Sequence, residues 1–294
     1  MEKRLDVWLV EEYGVKSRSK AQELIRGGYV LCNDVPVTKA GNRVSEKDEI
    51  RILKNDVLKY VSRGGLKLEK AISEFNLDFE GKTILDIGSS TGGFTDCALK
   101  SGAKKVIAVD VGTDVMDERL REDSRVELYE NTDFRVFPRE KYADIDFAVC
   151  DASFISLPVL LRNLELEGRT LVLIALIKPQ FECGMKIAGR YRGVISDKKL
   201  HEEILENVIS SMRDIGFILK EITWSPICGG DGNIEYIGEF TRKSLSDCDI
   251  LQKQESIHGD RNHNNMSENK NIELSSKIYE IKKLTENAFE YFKK

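Results

Sequence analysis

The sequence predicts an α/β protein: a mainly parallel sheet ending in an antiparallel hairpin, preceded by a small α/β unit. Three observations carry this. From Thr83 onward, short apolar runs alternate with amphipathic helical stretches. Two β-rich runs then flank the turn-forming Gly229-Gly230-Asp231-Gly232-Asn233. The first ~55 residues instead read helix, helix and short strands, a different rhythm that marks a separate unit.

In the N-terminal unit, Arg4 to Glu12 mixes Leu5, Val7, Trp8, Leu9 and Val10 with polar positions and reads as a helix. Ser17 is placed to cap a second helix running to Arg26, with Ala21, Leu24 and Ile25 on one face, and Gly27-Gly28 ends it. Tyr29-Val30-Leu31, a turn at Asn33-Asp34, Val35-Pro36-Val37 and the run from Asp48 to Leu53 supply strands. In the larger unit the expected strands are Thr83–Ile87, Lys105–Asp110, Arg125–Glu130, Asp146–Cys150 and Thr170–Ile177. Helices over Gly93–Ser101 and Asp197–Ile215 lie among and after them, and Leu219–Pro226 with Ile234–Thr241 forms the hairpin. Residues 244–275 are polar and read as a flexible segment, and an amphipathic helix over Ile278–Phe292 follows. The expected organisation is therefore 1–56, a linker at 57–62, 63–243, the polar segment 244–275 and a C-terminal helical piece at 276–294.

Composition narrows the class. With 41% hydrophobic and 32% charged residues the chain reads as globular. Its longest apolar run, Leu171 to Ile177, falls far short of the ~20 residues a membrane span needs. The opening MEKRLDVWLVEEYG lacks the uninterrupted apolar stretch and cleavage site of a secretory signal, so a cytoplasmic location is expected. Six scattered cysteines with no C-x-x-C pair point to neither a disulfide framework nor a metal site. Charge is uneven: residues 1–70 hold 15 Lys/Arg against 11 Asp/Glu, and the other 224 hold 30 against 39. A basic face at the N-terminal end is therefore allowed.

The chemistry concentrates at strand ends. Ile84-Leu85-Asp86-Ile87-Gly88-Ser89-Ser90-Thr91-Gly92-Gly93-Phe94-Thr95 joins a strand to a helix, where glycines admit a ligand close to the backbone. It fails the triphosphate pattern because Phe94 replaces the lysine, and the dinucleotide pattern because Ser90 stands in for the second glycine. Asp86 suits a ligand bearing an ammonium group, and Asp110, ending the next strand, suits ribose hydroxyls. Asp151 and Lys178 each follow a strand, at the carboxyl edge where open α/β sheets bind ligands. Lys67 lies just before the sheet and Glu235 early in the last β run, completing a Lys/Asp/Lys/Glu set. A lysine beside carboxylates alone has its pKa raised, so using one as a base requires burial or a second cation in opposition.

Six segments, YVSRGGLKLEKA, LDIGSSTGGFTD, AVDVG, CDASFISL, LIKPQFE and GGDGNIEYI, resemble the TlyA-type ribosomal RNA methyltransferases within the wider FtsJ-like 2′-O-methyltransferases. The stretch RLDVWLVEEYGVKSRSKAQELIRGGYVLCNDVPV resembles the RNA-binding module of small-subunit ribosomal protein S-four. Together they cover about residues 1–242. The resemblance implies a Rossmann-like class I methyltransferase sheet behind a small RNA-binding domain. It implies S-adenosylmethionine as cofactor, ribosomal RNA or ribosomal subunits as partner, and methylation of a cytidine ribose 2′-hydroxyl. The family's tetrad falls on Lys67, Asp151, Lys178 and Glu235, with Lys178 orienting or deprotonating the hydroxyl. The cofactor pocket falls on Asp86, Gly88, Ser89, Gly92, Gly93 and Asp110, with Asp133 as an adenine contact and Phe154 shaping the pocket. Lys16, Arg18, Lys20 and Arg26 are the implied RNA contacts. No metal or membrane is implied, and the polar 244–275 segment departs from the compact ending the resemblance leads one to expect.

Rival readings are distinguishable. Family members have also been labelled hemolysins, but no span or strongly basic amphipathic segment supports a membrane-active protein. A non-catalytic RNA-binding protein needs neither the intact glycine turn nor the full tetrad. Methylation of a base amine commonly accompanies an N-P-P-Y or D-P-P-Y motif, and Asp151-Ala152-Ser153-Phe154 has neither proline.

Overall fold

The computed structural model describes residues 2–15, 17–26, 29–33, 35–37, 39–52, 59–191, 193–229, 232–243 and 280–293. The N-terminal unit opens with β1 (Lys3–Arg4), α1 (Leu5–Tyr13) and α2 (Arg18–Arg26). The Ser17 hydroxyl caps α2 by accepting from the Lys20 amide at 3.2 Å. Short strands follow: β2 (Val30–Cys32), β3 (Val35–Pro36), β4 (Arg43–Val44) and β5 (Ile50–Ile52). β2 pairs antiparallel with both β3 and β5, and β1 with β4, a pairing the sequence pattern does not announce. Leu5, Leu9, Ala21, Leu24, Ile25 and Val30 form the core of this unit. At its edge the fully buried Asp6 accepts from Arg4 (2.9 Å), Arg18 (3.1 Å) and Gln22 (2.8 Å). The Arg4 guanidinium outweighs burial and, with Gln22 and Arg18, holds that carboxyl well below the usual range.

The larger unit begins with α3 (Gly64–Glu74), β6 (Thr83–Ile87), α4 (Gly93–Lys100), β7 (Lys105–Val109), α5 (Glu118–Arg121) and β8 (Val126–Tyr129). It continues with β9 (Phe147–Cys150), α6 (Leu157–Leu161), β10 (Leu171–Ile177), α7 (Pro179–Glu182), α8 (Met185–Arg190) and α9 (Lys198–Asp214). β11 (Phe217–Trp224) and β12 (Tyr236–Arg242) make the closing hairpin, and residues 280–292 are helical. The strand order is β11-β12-β10-β9-β6-β7-β8. β8, β7, β6, β9 and β10 run parallel, and β12 pairs antiparallel with both β10 and β11. The mainly parallel sheet with its antiparallel ending is thus the expected one. Continuous apolar runs such as Leu171–Ile177 follow from burial on both faces. Leu173, Ala175 and Ile177 pack toward α6, α9 and the C-terminal helix, through Leu161, Leu205, Met212, Ile281 and Leu284. Ile174 and Leu176 face α3 and α4, through Leu68, Ala71, Phe94 and Ala98. No helix among the described residues is long and apolar enough to cross a membrane.

Beneath the C-terminal helix, His201 is fully buried, with Nδ1 2.9 Å from the Tyr236 hydroxyl and Nε2 3.0 Å from the Ile195 carbonyl. A carbonyl only accepts, so Nε2–H donates to Ile195, and a neutral imidazole then accepts from the Tyr236 hydroxyl at Nδ1. Burial holds its pKa below the ordinary histidine value.

Several boundaries move by one or two residues. β11 starts at Phe217 rather than Leu219, and Glu235 precedes β12 instead of lying within it. The Gly27-Gly28 stop, Asp34, residues 57–58 of the expected linker, the 244–275 segment and the start of the last helix lie outside the described residues.

Candidate active site

The sheet order reverses direction between β6 and β9, and a crevice opens at their carboxyl ends. The glycine turn occupies one side. Gly88 leaves β6 at φ +78°, and Gly92 at φ +90° caps α4. A Cβ at position 88 would lie 2.9 Å from Ala152 Cα, so only glycine lets this turn and the segment after β9 meet. Asp86 is fully buried at the base of the turn; its Oδ2 accepts from the Thr95 hydroxyl at 2.6 Å, and its Oδ1 has no partner. Burial pushes this carboxyl up to about 7, against the Thr95 bond that lowers it. Ser89 Oγ is likewise buried without a partner. A buried carboxylate oxygen and a hydroxyl left unsatisfied beside a glycine cradle fit a ligand that carries an ammonium group and approaches the backbone closely. Asp110 braces the turn, accepting from the Ser90 amide at 2.8 Å and the Gly112 amide at 2.7 Å.

Opposite the turn, four charged side chains from four segments form one chain. Lys67 comes from the first turns of α3, Asp151 follows β9, Lys178 follows β10, and Glu235 stands just before β12. Lys67 Nζ donates to Glu235 Oε2 at 2.7 Å and lies 3.6 Å from Asp151 Oδ2; Lys178 Nζ lies 2.6 Å from Asp151 Oδ1. Lys67, Lys178 and Glu235 are 7%, 6% and 2% exposed, so these are desolvated charges whose mutual pairing decides their state. Burial pulls the Lys67 pKa down, but the Asp151 and Glu235 carboxylates outweigh it and the net shift is upward. Burial likewise works to raise Asp151, and Lys67 with Lys178 overcomes it, leaving the carboxyl below its ordinary value. The set therefore holds Lys67 as a fixed cation and Asp151 as a fixed anion beside Lys178.

Two neighbours escape the sequence reading. Ser153 Oγ accepts from Lys178 Nζ at 3.0 Å, and Gln180 Nε2 donates to Glu235 Oε1 at 3.2 Å. Both lie within two residues of a tetrad member, and that nearness was the available signal. Gln180 closes the chain at its Glu235 end, and Ser153 at its Lys178 end.

A cleft of about 1050 Å³ joins the two halves; Lys67, Asp151, Lys178, Gly88, Ser89 and Gly93 line it. Ser17, Ser19, Lys20 and Gln22 of the N-terminal unit form part of its wall. Asp86, Gly92, Asp110 and Glu235 stand behind that lining, and two predicted residues sit further off. Asp133 caps a 3₁₀ turn and pairs with Arg135 at 2.6 Å. Phe154 is 90% exposed at φ +65°, with its ring 4.9 Å from that of Phe181. Of the predicted RNA contacts, Arg18 is tied to Asp6 at 3.1 Å, and Lys20 donates to the Val61 carbonyl at 3.2 Å, bridging the two units. Lys16 and the Arg26 side chain lie outside the described residues.

Comparison with known proteins bears on this geometry. The profile of the FtsJ-like methyltransferase family matches residues 60–241, and that of the S4 domain matches residues 3–50. The chain is 44% identical over 246 residues to Hemolysin A of Brachyspira hyodysenteriae, spanning 81% of this chain and 99% of that protein. It is 35% identical over 235 residues to the 16S/23S rRNA (cytidine-2′-O)-methyltransferase TlyA of Mycobacterium tuberculosis, spanning 79% of this chain and 87% of TlyA. A solved structure from Streptococcus thermophilus, provisionally designated a hemolysin, superposes with TM-score 0.68 at 35% identity over 99% of this chain and 97% of its own.

Proposed function

The chain belongs to the FtsJ-like methyltransferase family, and from that premise we propose that it methylates the ribose 2′-hydroxyl of cytidine in ribosomal RNA. The observation that carries the reading is the buried chain Glu235–Lys67–Asp151–Lys178, which ends in a cleft shared with the glycine turn. S-adenosylmethionine, the cofactor of this methyltransferase, supplies an electrophilic methyl group on its sulfonium. Asp86, Gly88, Ser89, Gly92, Gly93 and Asp110 would hold it, the unpartnered Asp86 oxygen suiting an ammonium group and the turn a close backbone approach. Asp133 and Phe154 would be its outer contacts.

Lys178 orients the ribose hydroxyl or takes its proton. Asp151 fixes the position of that amine, and Lys67, kept protonated by its two carboxylates, keeps Asp151 ionised. Glu235, gripped by Lys67 and Gln180, balances the Lys67 charge. No thiol is needed, and burial pushes that of Cys150, next to Asp151 in sequence, up to about 12. The 2′-hydroxyl exists in RNA and not in DNA, which sets the substrate class. The ribosomal and cytidine assignments rest on the activity named for the Mycobacterium tuberculosis relative. Residues 1–56 form the RNA-binding domain in this reading, with Lys16, Arg18, Lys20 and Arg26 contacting phosphates.

The test is transfer of labelled methyl to unmodified ribosomal subunits, followed by nuclease digestion and mass spectrometry. The expected product is 2′-O-methylcytidine. Label on a base, or none on either subunit despite measurable binding of both substrates, would refute the assignment.

A further inference from the structure

Three oxygens of the protein surround Lys178 Nζ. Asp151 Oδ1 lies at 2.6 Å, the Asp151 carbonyl at 3.0 Å and Ser153 Oγ at 3.0 Å. An ammonium group has three N–H bonds and no more. Lys178 Nζ donates hydrogen bonds to the Asp151 carbonyl and Ser153 Oγ and is ion-paired with Asp151 Oδ1, so a ribose hydroxyl arriving at this nitrogen competes with these oxygens for its place. Two of the three belong to Asp151, whose amide is anchored to the Ile87 carbonyl at 3.2 Å and whose carboxylate is also paired with Lys67. The third belongs to an exposed residue that lines the cleft.

Ser153 also sits on a segment shaped to present it. Ala152 packs against the glycine turn at Gly88, and Phe154, immediately after, holds a left-handed backbone at φ +65° that costs an aromatic residue energy. Among the described residues, the Ser153 hydroxyl proton has no protein acceptor; its oxygen serves only the lysine. We propose that Ser153 Oγ is a placeholder for the ribose 2′-oxygen, satisfying Lys178 in the free enzyme and surrendering that position when RNA docks. The inference rests on the reading of Lys178 as the residue that handles the hydroxyl. Its consequence is specific: the Ser153 oxygen stands where the methyl acceptor must stand.

A Ser153→Cys variant turns the placeholder into an acceptor. With S-adenosylmethionine and no RNA, the introduced sulfur forms a bond to the methyl carbon as the sulfonium–methyl bond breaks. The thiol proton is released to water, the Lys178 ammonium holding the thiolate as it attacks, leaving S-methylcysteine and S-adenosylhomocysteine. Peptide mass mapping is expected to find one added methyl group at position 153, none on Cys228 in the same cleft, and none in a Ser153→Cys/Lys178→Ala variant. A Ser153→Ala variant removes the competitor of the substrate hydroxyl, so kcat/KM for RNA is expected to rise about fivefold, the worth of one ordinary hydrogen bond.

An introduced thiol that stays unmodified in Ser153→Cys protein shown to bind the cofactor overturns the proposal, as does a fall in kcat/KM for Ser153→Ala. If ribose transfer depends on Lys178 while that thiol remains bare, only the placeholder is lost. If Lys178→Ala transfers at the wild-type rate, both readings fall.

Discussion

Replacing Lys67 by methionine keeps the length and apolar stem of the side chain and deletes only the charge. Glu235, 2% exposed, then retains the Gln180 amide at 3.2 Å as its side-chain partner among the described residues, while Asp151 keeps Lys178. Stranding one member of a buried ion pair typically costs about 3–5 kcal/mol. At roughly 2–4 °C per kcal/mol for a domain of this size, the melting temperature should fall by about 6–20 °C. Replacing Glu235 by leucine in the same variant removes the orphaned charge, and most of that loss should return. The sign of the pH dependence is also set. The folded pKa of Lys67 is raised above the ordinary 10.5, so its contribution is fully present below that value and is lost only as pH rises through the folded value. The gap between wild type and Lys67→Met should therefore be flat through neutrality and narrow in strong alkali. Thermal and urea unfolding of wild type, Lys67→Met, Glu235→Leu and the double variant at several pH values makes the measurement. A Lys67→Met variant within about 1 kcal/mol of wild type, or a double variant as unstable as the sum of the singles, would refute the buried chain as described.

Four further outcomes follow from three individual sites. The Asp86 carboxyl titrates at about 7, so cofactor affinity should rise about tenfold per pH unit as pH climbs toward that value from below; calorimetry on Asp86→Asn should show weaker binding without this slope. The same variant should be more heat-stable than wild type above pH ~7, where ionising a raised, buried carboxyl destabilises the fold. Gly88→Ala meets both a left-handed backbone and the 2.9 Å approach to Ala152, so cofactor affinity should fall roughly tenfold or more while the circular dichroism spectrum is kept. His201 is neutral in the folded state with a pKa below that of the unfolded chain, so stability should drop as pH falls below the ordinary 6.5; in His201→Phe melting curves this acid-side component should vanish.

The parts of the site legible in the sequence are those fixed by local order. A strand that ends in Asp86 and turns through Gly88 and Gly92 reports its own geometry. So do Asp151 and Lys178, because the end of a parallel strand points at the crevice whatever else the chain does. Lys67 was legible only as a charge lying just before the sheet, and its role in the set came from the resemblance. α3 begins at the Gly64-Gly65 pair because its first turn approaches Gly93 of α4 closely, and no local pattern states that a helix neighbour is near. Ser153 and Gln180 escaped for a related reason. Their roles depend on which nitrogen or carboxylate lies opposite across the fold, a fact of tertiary packing. Arg18 shows the converse: a cation on an apparently basic helix face is partly committed to the buried Asp6.

The most direct test of the central claim is single-turnover methyl transfer to ribosomal RNA by wild type and Lys178→Ala, with cofactor and RNA affinities measured beside it. The account predicts that the variant binds both substrates at near wild-type affinity and deposits no methyl group on any ribose. Ribose methylation by Lys178→Ala at the wild-type rate would contradict it.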